Sequence, residues 1–152
     1  MDSDISENIV EIWTDGGCKP NPGVGGWSAI MKFRGTVKEL SGGEAATTNN
    51  RMELTAAAEA LSALSRPCTV ILHTDSEYLK NGITRWHTGW VRKNWRSSTG
   101  DPVKNMDLWK RVLDAAKPHK IEWRWVRGHS GDPMNERADQ LATAARERVK
   151  IT

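Results

Sequence analysis

Two apolar runs end in the same dipeptide, Thr14-Asp15 in IVEIWTDGG and Thr74-Asp75 in TVILHTDSE, and small residues follow each Asp. Read as neighbouring parallel strands, they bring two carboxylates to one sheet end, where open α/β sheets bind ligands. Carboxylates held close repel unless one is protonated or a cation bridges them, so the pair points to a metal site. Two further acids stand at element boundaries: Glu53, in the first turn of a long helix, and Asp139, in the last helix. The i±3 and i±4 neighbours of Asp139 are Asn135, Glu136, Ala142 and Thr143, which offer no cation for helical pairing. Carboxylates without a Cys or His cluster favour Mg²⁺ or Mn²⁺ over Zn²⁺, and Mg²⁺ recruits substrate phosphate oxygens. Phosphodiester chemistry is therefore the leading expectation, with two ions roughly 4 Å apart and Asp15 central between them. A second reading stays open for three of these acids. Thr74-x-x-Glu77 and Asn50-x-x-Glu53 fit a capping pattern, which makes Asp75 and Glu53 first-turn acids, and Asp15 can stabilise a Gly16-Gly17 turn.

The elements that must position these acids follow from periodicity. Alternation predicts a strand over Ile9 to Thr14, then two more in GWSAIMKFRG and TVKELSGG, joined at Arg34-Gly35 into an antiparallel meander. Leu54, Ala57, Leu61 and Leu64 mark a helix that begins after TTNN and stops by Arg66-Pro67, ahead of the strand TVILHT. Strand, helix, strand implies a right-handed parallel crossover. Short helices are expected over 76–83 and 85–95, then the exposed loop RSSTGDPVKN. Met106, Trp109, Val112, Leu113 and Ala116 mark a longer helix. A strand over 120–126 places Ile121, Trp123 and Trp125 on one face. The loop RGHSGDP enters a final helix through Pro133, with Ala138, Leu141, Ala142, Ala145 and Val149 on its inner face.

The length of 152 residues suits one domain with a core that needs no disulfide, residues 1–7 being expected to fray. Cys18 and Cys68 form no CxxC pair, and no apolar stretch approaches a signal core or membrane span. The expected setting is soluble, reducing and cytoplasmic. The net charge of +3 hides segregation: Lys80 to Arg111 holds eight Lys/Arg against two Asp, which leaves the remainder about three charges negative. Such a stretch is either a solvated face or the footprint of a polyanion partner. Within it, WHTGWVRKNWR sets Trp86, Trp90 and Trp95 among Arg85, Arg92, Lys93 and Arg96. The Trp spacings of four and five fit both packing on one helical face and contact with nucleic acid.

The segments WTDGGCKPNPGVGGW, TTNNRMEL, HTDSEYLKNGI and WVRGHSGDPMNERADQLA, in this order, resemble bacterial type 1 ribonuclease H over about Ile9 to Arg148. The resemblance implies an α/β fold: a mixed five-stranded sheet, three antiparallel strands then two parallel, flanked by helices. It implies catalytic, metal-binding acids at Asp15, Glu53, Asp75 and Asp139, with Mg²⁺ as cofactor. The implied activity is internal cleavage of the RNA strand of RNA·DNA hybrids, leaving 5′-phosphate and 3′-hydroxyl ends, in the removal of primers and hybrids during replication and repair.

The resemblance also makes His129, in the loop before the last helix, a proton-transfer or product-release group, while His73, His87 and His119 read as structural. By the same likeness the Trp-rich segment, 84–104, is a basic protrusion that grips the hybrid. Cys18, Asn21, Asn49, Asn50 and Glu77 match substrate contacts, and Thr48 and Asn105 match a pocket for a DNA phosphate. Asn49 and Asn50 have an alternative role as helix caps. The chain departs from many relatives in having Glu77 where they have Gln, and from some in having Ala46 where they have Arg. Glu77 cannot donate as an amide does. A monomer is expected. The competing readings are a non-catalytic hybrid or single-strand binding module, which has no use for four converging acids, and an integrase- or resolvase-type enzyme on the same sheet.

Overall fold

The computed structural model describes residues 8–126 and 132–149. Its strands are β1 (Ile9–Cys18), β2 (Gly23–Phe33), β3 (Thr36–Thr47), β4 (Thr69–Thr74) and β5 (Lys120–Trp125). Its helices are α1 (Asn49–Ser62), α2 (Glu77–Asn81), α3 (His87–Arg92), α4 (Met106–Ala116) and α5 (Pro133–Glu147), and a single π-helical turn, Gly82–Trp86, joins α2 to α3. The sheet order is β3-β2-β1-β4-β5. The pairs β1/β2 and β2/β3 are antiparallel, β1/β4 and β4/β5 parallel, the mixed sheet expected from the sequence.

The β2–β3 hairpin turns in two residues, Arg34 and Gly35, whose φ angles of 51° and 81° match the twist of the flanking strands. In β1, alternation sends Val10 and Ile12 to one face, where they pack with Ala29, Met31, Ala60, Leu61, Val70 and Leu72 beneath α1. Trp13 goes to the other face and meets Ile30 and Ala138 of α5. A third cluster joins Leu54, Ala57 and Ala58 of α1 to Leu79 and to Leu108, Trp109 and Val112 of α4. Trp109 is the largest fully buried side chain among the described residues.

Parallel pairing of β1 and β4 in the register Trp13↔His73 sets the two Thr-Asp dipeptides side by side, each Asp two residues beyond the paired position. Several boundaries differ from expectation. β1 does not end at Thr14: it continues through Asp15, Gly16 and Gly17 to Cys18, pairing Asp15 with Ser28, so Asp15 belongs to a strand and not to a turn. The reason is Gly16, at which a Cβ would lie 2.6 Å from Glu53 N, so that α1 can close against the continuing strand.

Helix α1 begins at Asn49, capped by Thr48, whose Oγ1 accepts from Arg51 N at 3.2 Å. Glu53 therefore lies past the first turn, and the Asn50-x-x-Glu53 box is not formed. The Thr74-x-x-Glu77 box is likewise replaced by Ser76, whose Oγ accepts from Leu79 N at 3.1 Å. Finally, the chain expected as helices over 76–83 and 85–95 is α2, the π-turn and the shorter α3, because Gly82 lies against the Trp109 ring and the backbone widens around it.

Candidate active site

Asp15 from β1, Glu53 from α1 and Asp75 just past β4 each offer a carboxylate oxygen, and the three lie within 4.8 Å of one another. The Gly16 N–H donates towards both Asp15 and Glu53. Asp139, on the second turn of α5, is exposed, is not part of that group of three, and reaches Asp15 through a carboxyl–carboxylate hydrogen bond. Such a bond needs a shared proton. Burial, then Asp75, then Asp139 push the Asp15 carboxyl up from 3.8 to about 8. Burial first, then Asp15 and Asp75, push Glu53 well above its ordinary range, and Glu53 Oε2 is buried without a hydrogen-bond partner. An acid cluster that resists ionisation in this way is stabilised in its ionised form by a cation, and an all-oxygen donor set suits a hard divalent one. The residues present thus fit a metal.

Around this centre the expected substrate residues fall into groups. Asn21 and Asn49 clasp each other, Asn21 Nδ2 donating to Asn49 Oδ1 at 2.8 Å and Asn49 N donating to Asn21 Oδ1 at 3.2 Å, which ties the β1–β2 loop to the start of α1. Capping by Thr48 leaves Asn49 and the half-buried Asn50 without that duty. Cys18 Sγ donates to the carbonyls of Pro20 and Thr47 at 3.1 and 3.4 Å. Glu77 is exposed on the first residue of α2. Asn105, at φ 60°, donates from Nδ2 to the Tyr78 hydroxyl at 3.0 Å and accepts from Arg51 Nη1 at 3.2 Å, while Arg51 also grips both oxygens of Asp107. His129 lies outside the described residues.

Beyond α2 the Trp residues pack against one another. Trp86, Trp90 and Trp95 form a file with ring centroids 5.9 and 5.8 Å apart, and Trp90 rests 5.2 Å from Trp109. Trp90 and Trp95 are half-buried; Trp86 keeps 37% of its surface in solvent. The packing reading of the Trp spacing therefore holds for all three rings, Trp86 being the one that keeps an open face. Arg92, Lys93 and Arg96 are all exposed. The remaining His side chains are structural where described: His73 Nε2 meets Glu11 Oε2 at 2.7 Å, and His119 Nδ1 accepts from Cys68 N at 3.0 Å.

Sequence reasoning missed Arg51 and Tyr78, which hold Asn105: both lie within TTNNRMEL and HTDSEYLKNGI, but their link to Asn105 spans 54 and 27 residues and leaves no local signal. It also missed Lys19 and Arg146, which share a cleft with Asp15 and Asp139.

The family model for RNase H matches residues 7–147. The ribonuclease H of Acidiphilium cryptum is 76% identical over 139 residues, 91% of this chain and 87% of that protein. The ribonuclease H of Granulibacter bethesdensis is also 76% identical, over 91% of this chain and 93% of that protein. Among solved structures, LC9-RNase H1, described as a type 1 RNase H with the type 2 active-site motif, superposes with a TM-score of 0.81 at 32% identity, covering 92% of this chain and 72% of that one. A foamy viral protease-reverse transcriptase in complex with RNA/DNA hybrid shares the fold at a TM-score of 0.76 and 20% identity, over 95% of this chain and 21% of the viral one. A chain matched over nearly its whole length, with its acids gathered at the sheet end, belongs to the ribonuclease H family.

Proposed function

We propose that this chain hydrolyses the RNA strand of RNA·DNA hybrids internally, as a monomer, in the removal of primers and hybrids during replication and repair. The observation that carries the reading is the carboxylate cluster of Asp15, Glu53 and Asp75, with Asp139 facing it. These four residues would hold Mg²⁺, with Mn²⁺ as a substitute and two ions when substrate is bound. Bound there, the ions supply the charge that activates a water and offsets the leaving oxygen. Attack by water forms a new P–O bond and breaks the bond from phosphorus to the 3′ oxygen, which takes a proton, giving 5′-phosphate and 3′-hydroxyl ends. Asp15, between Asp75 and Asp139, is the central ligand, and His129 is assigned the proton transfer or product departure.

Recognition of RNA needs contacts to 2′-hydroxyls across the minor groove, which suit the amides of Asn21, Asn49 and Asn50 and the backbone near Cys18. Thr48 and Asn105 face a DNA phosphate in this reading, and Glu77 stands at the RNA side as an acceptor only. Trp86, Trp90 and Trp95 with Arg92, Lys93 and Arg96 grip the duplex outside the cleft. The viral neighbour solved with an RNA/DNA hybrid supports a hybrid as the substrate class.

The test uses end-labelled RNA·DNA, RNA·RNA and DNA·DNA duplexes with Mg²⁺ and a chelator control. Cleavage confined to the RNA of the hybrid and abolished by the chelator is expected. Equal cutting of all three duplexes would overturn the assignment, and binding without cutting would favour the non-catalytic module.

A further inference from the structure

A cleft of about 230 Å³ opens beside the acids and runs along α5. Its lining brings together the acids Asp15 and Asp139 and the cations Lys19 and Arg146. Asp139 and Arg146 are seven residues apart, two helical turns on the same face, with Thr143 between them. Side chains on a helix lean towards its N-terminus, which inclines Arg146 back towards Asp139. At Gly26 of β2 a Cβ would come within 2.7 Å of Arg146 N, so this turn of α5 lies directly on the strand and the Arg146 backbone is held against it. Arg146 is half-buried, and neither it nor Lys19 has an ion-pair partner among the described residues. Elsewhere on this helix, Arg137 pairs with Glu39 at 2.9 Å.

A cleft lined by carboxylates and by two cations without ion-pair partners among the described residues can take cations and an anion together. With the acids serving cations, Lys19 and Arg146 fit an anion tethered close by. We propose that Arg146, with Lys19 and the Thr143 hydroxyl of the same cleft, forms a phosphate subsite for the RNA strand, binding a phosphodiester that neighbours the one held at the acids. The inference rests on the hydrolase reading above and adds a positioning residue to it. Arg146 sets the register of the strand in the cleft and does not touch the reacting atoms.

The test compares wild-type protein with Arg146→Ala, Arg146→Lys, Lys19→Ala and Arg148→Ala, a control at the exposed C-cap of the same helix, outside the cleft lining. Hybrid cleavage with Mg²⁺ is followed over a KCl series, with Tm measured for each variant. Arg146→Ala is expected to raise KM roughly tenfold or more with little change in kcat. It should also make the dependence of log(1/KM) on log[salt] shallower by about 0.7–0.9, the loss of one phosphate contact. Arg146→Lys should restore the slope, Lys19→Ala should show a smaller shift in the same sense, and Arg148→Ala should match wild type.

Wild-type KM and slope in an Arg146→Ala protein of unchanged Tm would overturn the proposal. So would an equal loss in Arg148→Ala, which would indicate a general field. If Arg146→Ala lowers Tm, Arg146→Gln keeps the side-chain stem and reports the same quantities. Hybrid binding without metal is titrated alongside. An inactive wild-type protein, which would overturn the hydrolase reading, then still reports whether Arg146 carries a phosphate contact.

Discussion

At Asp15, burial and two neighbouring acids oppose ionisation, so the folded chain holds a proton that the unfolded chain releases near pH 3.8. A carboxyl raised to about 8 contributes stability that is complete below 3.8 and is lost as pH rises through about 8. Metal-free protein should therefore lose Tm across that window, and Mg²⁺, which competes with the proton, should raise Tm more at pH 8 than at pH 5. Asp15→Asn should flatten both trends. It should keep hybrid binding while cleavage falls by about a thousandfold or more. Thermal melts with and without Mg²⁺ at the two pH values, beside single-turnover cleavage, check the set; a Mg²⁺ effect independent of pH would exclude Asp15 as a ligand. Much of this centre could be read from residues alone, because the twin Thr-Asp ends and the lack of cations around Asp139 are sequence facts. The capping roles were misread, because Thr48 and Ser76 stand beside equally suitable Asn50 and Thr74, and only backbone geometry decides among them.

Between elements, the junction of α2, α3 and α4 is set by one contact that periodicity does not contain. Trp109 of α4 is fully buried, donates to the Tyr78 hydroxyl at 3.1 Å and lies against Gly82. The strands and the long helices follow from alternation and 3.6-residue spacing. The π-turn arises instead from an interhelical packing need, so sequence patterning extends the helices straight through it. A methyl group at Gly82 meets the indole, and overpacking of this kind costs about 1–3 kcal/mol. Gly82→Ala should accordingly lower Tm by several degrees and raise KM for hybrid by displacing the Trp86 file, while the acids keep their kcat. Trp109→Phe removes part of the obstacle, so the double variant should lose less than the sum of the two single changes. Melts of all four proteins measure that coupling; strict additivity would separate the turn from Trp109.

For the whole molecule, the charge that nets to +3 is divided between an acid cluster at the sheet end and a basic Trp-bearing arm. Arg92, Lys93 and Arg96 are exposed there, the aromatic file behind them is packed, and Lys110 lies 5.4 Å from the Trp95 ring centre. Aromatic packing thus holds the arm in shape while its cations stay in water, the arrangement that attracts a polyanion without needing new order on binding. Each phosphate neutralised releases counterions, so affinity for hybrid should fall steeply with salt. Replacing Arg92, Lys93 and Arg96 together with Ala should weaken binding and reduce the slope of log K against log[salt] by up to about three contacts' worth, 0.7–0.9 each. Arg96 also donates to the Gly100 carbonyl at 3.0 Å, so the Arg92 and Lys93 pair is the cleaner subset and should give about two-thirds of that change. Because these cations belong neither to the acid group nor to the cleft beside it, kcat at saturating hybrid should stay near wild type while KM rises. Binding titrations over a salt series, paired with steady-state cleavage, separate the two; an unchanged slope would remove the arm from the grip on substrate, and a collapse of kcat at unchanged KM would place these cations in the chemistry instead.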